Sequence, residues 1–71
     1  MTLAEIPNQY EGPVVALEGD PVLLARLREL GFIRGEMIRV AGRAPFGDPI
    51  LVEIRGATVA LRKLEAQCVQ V

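Results

Sequence analysis

The side chains best suited to chemistry in this sequence fall in one short stretch, Arg43-Ala44-Pro45-Phe46-Gly47-Asp48-Pro49. It offers a cation, a carboxylate and an aromatic ring. An exposed phenylalanine can anchor a protein partner. Two prolines and two glycines between Gly42 and Pro49 fix the shape of this loop. Pro45 and Pro49 lock φ, Gly47 permits a positive φ, and Pro49 holds Asp48 extended. Two further apolar side chains share strand parity with polar residues, Met37 with Arg39 and Leu51 with Glu53. The candidate partner-binding set is therefore Arg43, Pro45, Phe46, Asp48, Met37 and Leu51. Each has a competing structural use. A small curved sheet can bury Met37 and Leu51, and Phe46 can fold back onto the rim.

Other chemistry is mostly closed off. The chain has no histidine and no serine, so a Ser-His-Asp triad cannot form. Imidazole-based metal sites are excluded, and the single cysteine, Cys68, makes neither a thiolate site nor an intramolecular disulfide. Cys68 lacks a histidine base and reads as a small hydrophobe in the last strand. Glu18, Asp20, Asp48 and Glu53 lack the spacing of a calcium loop. No G-x-x-x-x-G-K-[ST] occurs, and no G-x-G-x-x-G opens a helix. The expectation is no catalytic residue, no cofactor, no metal site and no enzyme activity. Eight basic and nine acidic residues give a net charge of −1. Nucleic acid is thus an unpromising partner, because phosphate neutralisation needs a basic excess. No apolar run approaches the ~20 residues that span a bilayer, and no secretory leader is visible. A cytoplasmic protein without membrane insertion is expected.

These residues must be positioned by short elements. Residues 1–12 read as a lead-in, broken by Pro7. Residues 14–17 read as a strand. Asp20 is a favoured N-cap and Pro21 fits the first helical position. Leu23, Leu24, Leu27 and Leu30 then share one helix face, with Arg26, Arg28 and Glu29 around the other. Gly31 stops the helix at positive φ, and Phe32 and Ile33 turn apolar surface back toward it. After Gly35 the pattern alternates, predicting strands at 36–42 and 50–54. Arg55-Gly56 is a hairpin turn into a strand at 57–62, with Val59 and Leu61 inward. Residues 63–66 form a helical turn, and Val69 and Val71 belong to a closing strand. Arg39 and Glu53 are placed to pair across strands, while Arg43, Arg62 and Lys63 read as a solvated rim. Five short strands and one helix in 71 residues predict a mainly β domain over 1–71, a small SH3-like or OB-like barrel. Hydrophobic residues make up 51% of the chain, enough for a core without disulfides.

Taken in order, Leu27-x-x-Leu30-Gly31-Phe32-x-x-Gly35, Ala44-Pro45-Phe46-Gly47-Asp48-Pro49-Ile50, Val59-Ala60-Leu61-Arg62-Lys63-x-Glu65-Ala66 and the final valine resemble the FeoA family of ferrous iron transport proteins. The resemblance runs from Leu3 to Val71; the family's usual lead-in glycine is displaced in Asn8–Gly12. It implies an SH3-like five-stranded barrel with one inserted α-helix. It also implies a cytoplasmic accessory protein, held at the inner membrane by its partner. That partner is FeoB, the membrane ferrous iron transporter with a G-protein domain. A GTPase-activating role toward that domain has been suggested for the family from its fold; Arg43 is the arginine such a role would use. The same domain follows a helix-turn-helix and a dimerisation domain in repressors of the diphtheria toxin repressor type, for which this chain has no room. A general SH3-like peptide adaptor is the reading from another class. It is weakened because Tyr10, Phe32 and Phe46 are the only aromatics available for a groove. A weak homo-oligomer is compatible with each reading.

Overall fold

Asp20 opens the main helix as a side-chain cap: the Val22 N–H donates to its Oδ1 at 2.7 Å. Helix α1 (Pro21–Leu30) then runs to Gly31, which sits at φ 104° and donates its N–H back to Arg28 O. Only glycine takes that backbone without strain. A Cβ there would also lie 3.0 Å from the Arg55 side chain. Leu27 is fully buried; Leu23, Leu24 and Leu30 pack at the margin of the core.

The structure is a computed structural model describing residues 1–71. Four strands, β1 (Glu11–Pro13), β3 (Met37–Arg43), β4 (Ile50–Ile54) and β5 (Ala57–Leu61), form an antiparallel sheet in the order β1-β3-β4-β5. A second sheet pairs β2 (Ala16–Leu17) with β6 (Val69–Gln70). A four-residue helix, α2 (Lys63–Ala66), leads into β6. The β4–β5 hairpin turns through Arg55 and Gly56, at φ 53° and 81°. Two positive φ values are what a type I′ turn requires. The core comprises fourteen side chains, among them Phe32, Leu27, Ile38, Val40, Ile50, Val52 and Leu61.

The class is mainly β, as expected, but the strand plan differs in two places. Of the expected strand at 14–17 only Ala16–Leu17 is strand, as β2, and the lead-in expected to turn at Asn8–Gly12 instead contributes β1 to the other sheet. The hydrogen-bonded ladders leave β1 and β5 as edges of the larger sheet, so the β class is realised as six short strands in two sheets. The lead-in is also part of the core. Leu3 is fully buried and Ile6 nearly so. The Leu3 N–H donates to Val69 O at 3.0 Å, Thr2 bridges Gln70, and the Val71 N–H donates to Met1 O at 2.9 Å. Cys68 is buried, consistent with its reading as a small hydrophobe.

One carboxylate is buried among these elements. Glu65 accepts the Arg62 N–H at 2.8 Å with one oxygen and meets Arg26 Nε at 2.6 Å with the other. It caps α2 and ties it to α1. A buried charge needs this pairing, since a carboxylate left without partners in a core costs several kcal/mol.

Candidate functional site

The loop after β3 is braced from inside. The Gly47 N–H donates to Ala44 O at 2.7 Å, and the Ala44 N–H donates to Pro49 O at 3.0 Å. Gly47 takes φ 84°, and the Asp48–Pro49 peptide is cis. Asp48 faces the start of α2, where its Oδ1 accepts the Lys63 N–H at 3.2 Å and lies 3.9 Å from the Arg62 guanidinium. Pro45 is exposed, and Phe46 stands 98% exposed at the tip. The ring therefore does not fold back onto the rim. A fully solvated phenylalanine on a hydrogen-bonded loop is a preformed apolar contact, with little ordering cost left for a partner to meet.

Arg43 has a different surrounding from the expected solvated rim. It is half-buried, and its guanidinium donates to Asn8 Oδ1 and to the carbonyls of Leu3 and Ile6. It clasps the N-terminal segment onto the end of β3. A finger acting in another protein's site needs a guanidinium free to leave its own chain. The Arg43 group is held by three internal acceptors instead.

Leu51 follows the loop on β4 and is partly exposed on the outer face of the sheet. Met37 is exposed on the same face, but at the other end of β3, about 20 Å from Arg43 along the strand. Between them lies the expected Arg39–Glu53 pair, bidentate at 2.9 and 2.7 Å. The loop, Leu51 and the base of β3 thus form one end of the outer face. Met37 belongs to a separate polar groove of about 390 Å³, lined also by Glu11, Arg39, Glu53, Arg55 and Thr58.

The Arg39 hydrogen bonds hold the Glu53 carboxyl below the ordinary carboxylate range, and Glu53 in turn raises Arg39. A carboxylate whose folded pKa is lowered contributes stability above its unfolded pKa, about 4.3 for glutamate. That contribution is lost as pH falls through the folded value. Water screens this surface pair, so the effect is small. Urea midpoints should separate wild type from Glu53→Gln at pH 7, and the separation should vanish in strong acid. A gap of equal size at pH 7 and pH 2 would refute the assignment.

The remaining candidates do not assemble a reactive centre. No three or more of the chain's Cys, Asp and Glu side chains come together in a cation-binding cluster. Phe32 is buried and Phe46 projects from the loop, so the aromatics do not line a common groove. No helix is long and apolar enough to cross a membrane.

A second groove, of about 260 Å³, was not marked by the strand and helix patterns. It lies between β2 and the connector after α1. Val15, Leu17, Arg28, Phe32, Ile33 and Arg34 line it. Ile33 was expected to turn back toward the helix with Phe32, yet only Phe32 does so; Ile33 is 47% exposed. The available sequence signal was the unbroken apolar run Val14–Leu17, too long for a two-residue strand with one buried face.

Comparison with known proteins gives a consistent set of relatives. The FeoA domain family matches residues 1–71. A Porphyromonas gingivalis protein described as an Fe(2+) transport protein A/Fe(2+) transporter FeoB fusion is 34% identical over all 71 residues. The chain spans 8% of that fusion's length. Among solved structures, Stenotrophomonas maltophilia FeoA complexed with zinc, described as a prokaryotic SH3 domain protein, superposes with a TM-score of 0.86. It is 37% identical, covering 100% of this chain and 88% of that one. The solution structure of Chlorobium tepidum FeoA gives a TM-score of 0.88 at 33% identity, covering 99% of this chain and 67% of that one.

Proposed function

The chain belongs to the FeoA domain family, and from that premise we propose that it is a non-enzymatic docking module of ferrous iron uptake that binds FeoB and biases its state. The observation that carries the reading is Phe46, fully solvated on a loop braced by its own backbone and by α2. Support for the partner comes from the fused relative, in which a protein A portion and FeoB share one polypeptide. Fusion fixes two proteins at a high effective concentration, which is useful when the separate parts associate weakly. The module acts from the cytoplasmic side, peripheral to the membrane through this contact.

Binding alone changes transport only if one state of FeoB is bound better than another. A tenfold preference corresponds to about 1.4 kcal/mol. Burying one phenylalanine supplies about 1.5–3 kcal/mol, so the loop is sufficient in scale. The test is a titration against FeoB in nanodiscs, with GDP and with a non-hydrolysable GTP analogue. Saturable binding is expected, with affinities that differ between the two nucleotides. Absence of binding in both states would overturn the reading.

A further inference from the structure

We propose that the groove between β2 and the α1–β3 connector docks an extended segment of a partner protein, one that places a carboxylate between apolar residues and adds as a strand to β2. Three independent features of the groove specify this occupant.

The first is an open strand edge. The Glu18 N–H donates to Cys68 O at 2.9 Å, and Leu17 stands opposite Val69. In an antiparallel pair, successive residues turn their N–H and C=O alternately toward and away from the partner strand. The Leu17 N–H and C=O therefore point away from β6, on the side of the groove that Leu17 lines. Such an edge is a template for another strand.

The second is apolar walls. Val15 is 52% exposed on one side and Ile33 is similarly open on the other, above buried Phe32. Next to these walls the connector is tied to the chain before β2 by the Gly35 N–H, which donates to Val14 O at 2.8 Å.

The third is charge. Arg26, Arg39, Arg55 and Arg62 each have a carboxylate within 4.0 Å. Arg28 and Arg34, the two cations of the groove, have none. Two unpaired guanidiniums beside apolar walls complement a carboxylate carried on an apolar strand. Nucleic acid fits poorly, since phosphates would have to lie against Val15 and Ile33 in a chain of net charge −1. With β2 only two residues long, few main-chain bonds are available, and the docking is of modest affinity.

This inference does not depend on the Phe46 loop or on FeoB. The probe is a phage-displayed random dodecapeptide library panned on the whole chain, with recovered peptides synthesised and titrated by ¹⁵N–¹H NMR. Enrichment of peptides with Asp or Glu between apolar residues is expected. Their shifts should centre on the amides of Leu17, Ile33 and Arg34. Arg28→Glu/Arg34→Glu, checked as folded by circular dichroism, should weaken binding at least tenfold; Arg34→Glu alone serves if the double variant does not fold. Failure to enrich acidic peptides, shifts centred elsewhere, or unchanged binding after charge reversal would each overturn the proposal. A dimer in sedimentation velocity that dissociates on charge reversal would overturn it in favour of a second copy as occupant.

Discussion

Phe32→Ala is expected to lower the Tm of this protein by roughly 12–40 °C. The ring is fully buried just past the helix stop, where the Phe32 N–H donates to Leu27 O at 3.0 Å. It therefore fixes both the end of α1 and the course of the connector toward β3. Truncating a buried phenylalanine costs about 3–5 kcal/mol, because the side-chain transfer energy and the cavity left behind add. A domain of 71 residues has only about 4–10 kcal/mol in total. Few single changes in this chain would consume so large a share. Thermal melts followed by circular dichroism are the measurement, with Phe32→Leu as a control that refills part of the cavity and loses less. A Phe32→Ala melt within 5 °C of wild type would mean that the helix does not rely on this ring.

Phe46→Ala should behave in the opposite way. With 98% of the residue in water, its removal deletes almost no internal contact. A surface change of this kind stays within about 0.5 kcal/mol, so the Tm should move by less than about 4 °C. The same substitution should weaken binding to nanodisc-held FeoB by about ten- to hundredfold, the equivalent of about 1.5–3 kcal/mol for one buried ring. Gly47→Ala is a useful companion. It keeps the ring but strains a residue at φ 84°, so it should weaken binding through loss of the preset loop. Unchanged affinity for Phe46→Ala would move the contact away from this loop, whatever the nucleotide dependence of wild type.

The two phenylalanines also mark how far the sequence could be read. Local signals were sufficient wherever a residue's own backbone preference decided the outcome. Asp20, Pro21 and Gly31 bounded α1, Arg55-Gly56 set the hairpin, and prolines and glycines shaped the loop, while the exposure of Phe46 at its tip needed the structure. Long-range contacts were not legible. Leu3 and Ile6 lie in an irregular segment with no periodic pattern, and the contacts that hold it, from β6 and from Arg43 to the Leu3 and Ile6 carbonyls, come from some forty or more residues away. For the same reason Arg43 read as a surface cation available to a partner. Two of its three acceptors are backbone oxygens, which carry no sequence signature. Strand β1 was hidden because Glu11-Gly12-Pro13 has no apolar alternation and is composed like a turn, while β2 is only the last two residues of the apolar run Val14–Leu17. Arg28 and Arg34 became informative only once the other arginines were seen to be held, four by carboxylates and Arg43 by internal oxygens.

The closing of the N-terminal segment against β6 has a consequence for how the fold can be reused. With the first residue's carbonyl bonded to the last residue's amide, the polypeptide leaves the domain at the point where it enters. Geometrically the fold is a nearly closed ring of chain with a single doorway. A longer protein can then carry it at either end, or hold it as an insert between two neighbouring surface residues, with the connecting segments emerging from one spot. Both the loop bearing Phe46 and the groove beside β2 would keep their orientation relative to that doorway. Gene fusion and domain insertion thus become interchangeable routes to the same spatial arrangement.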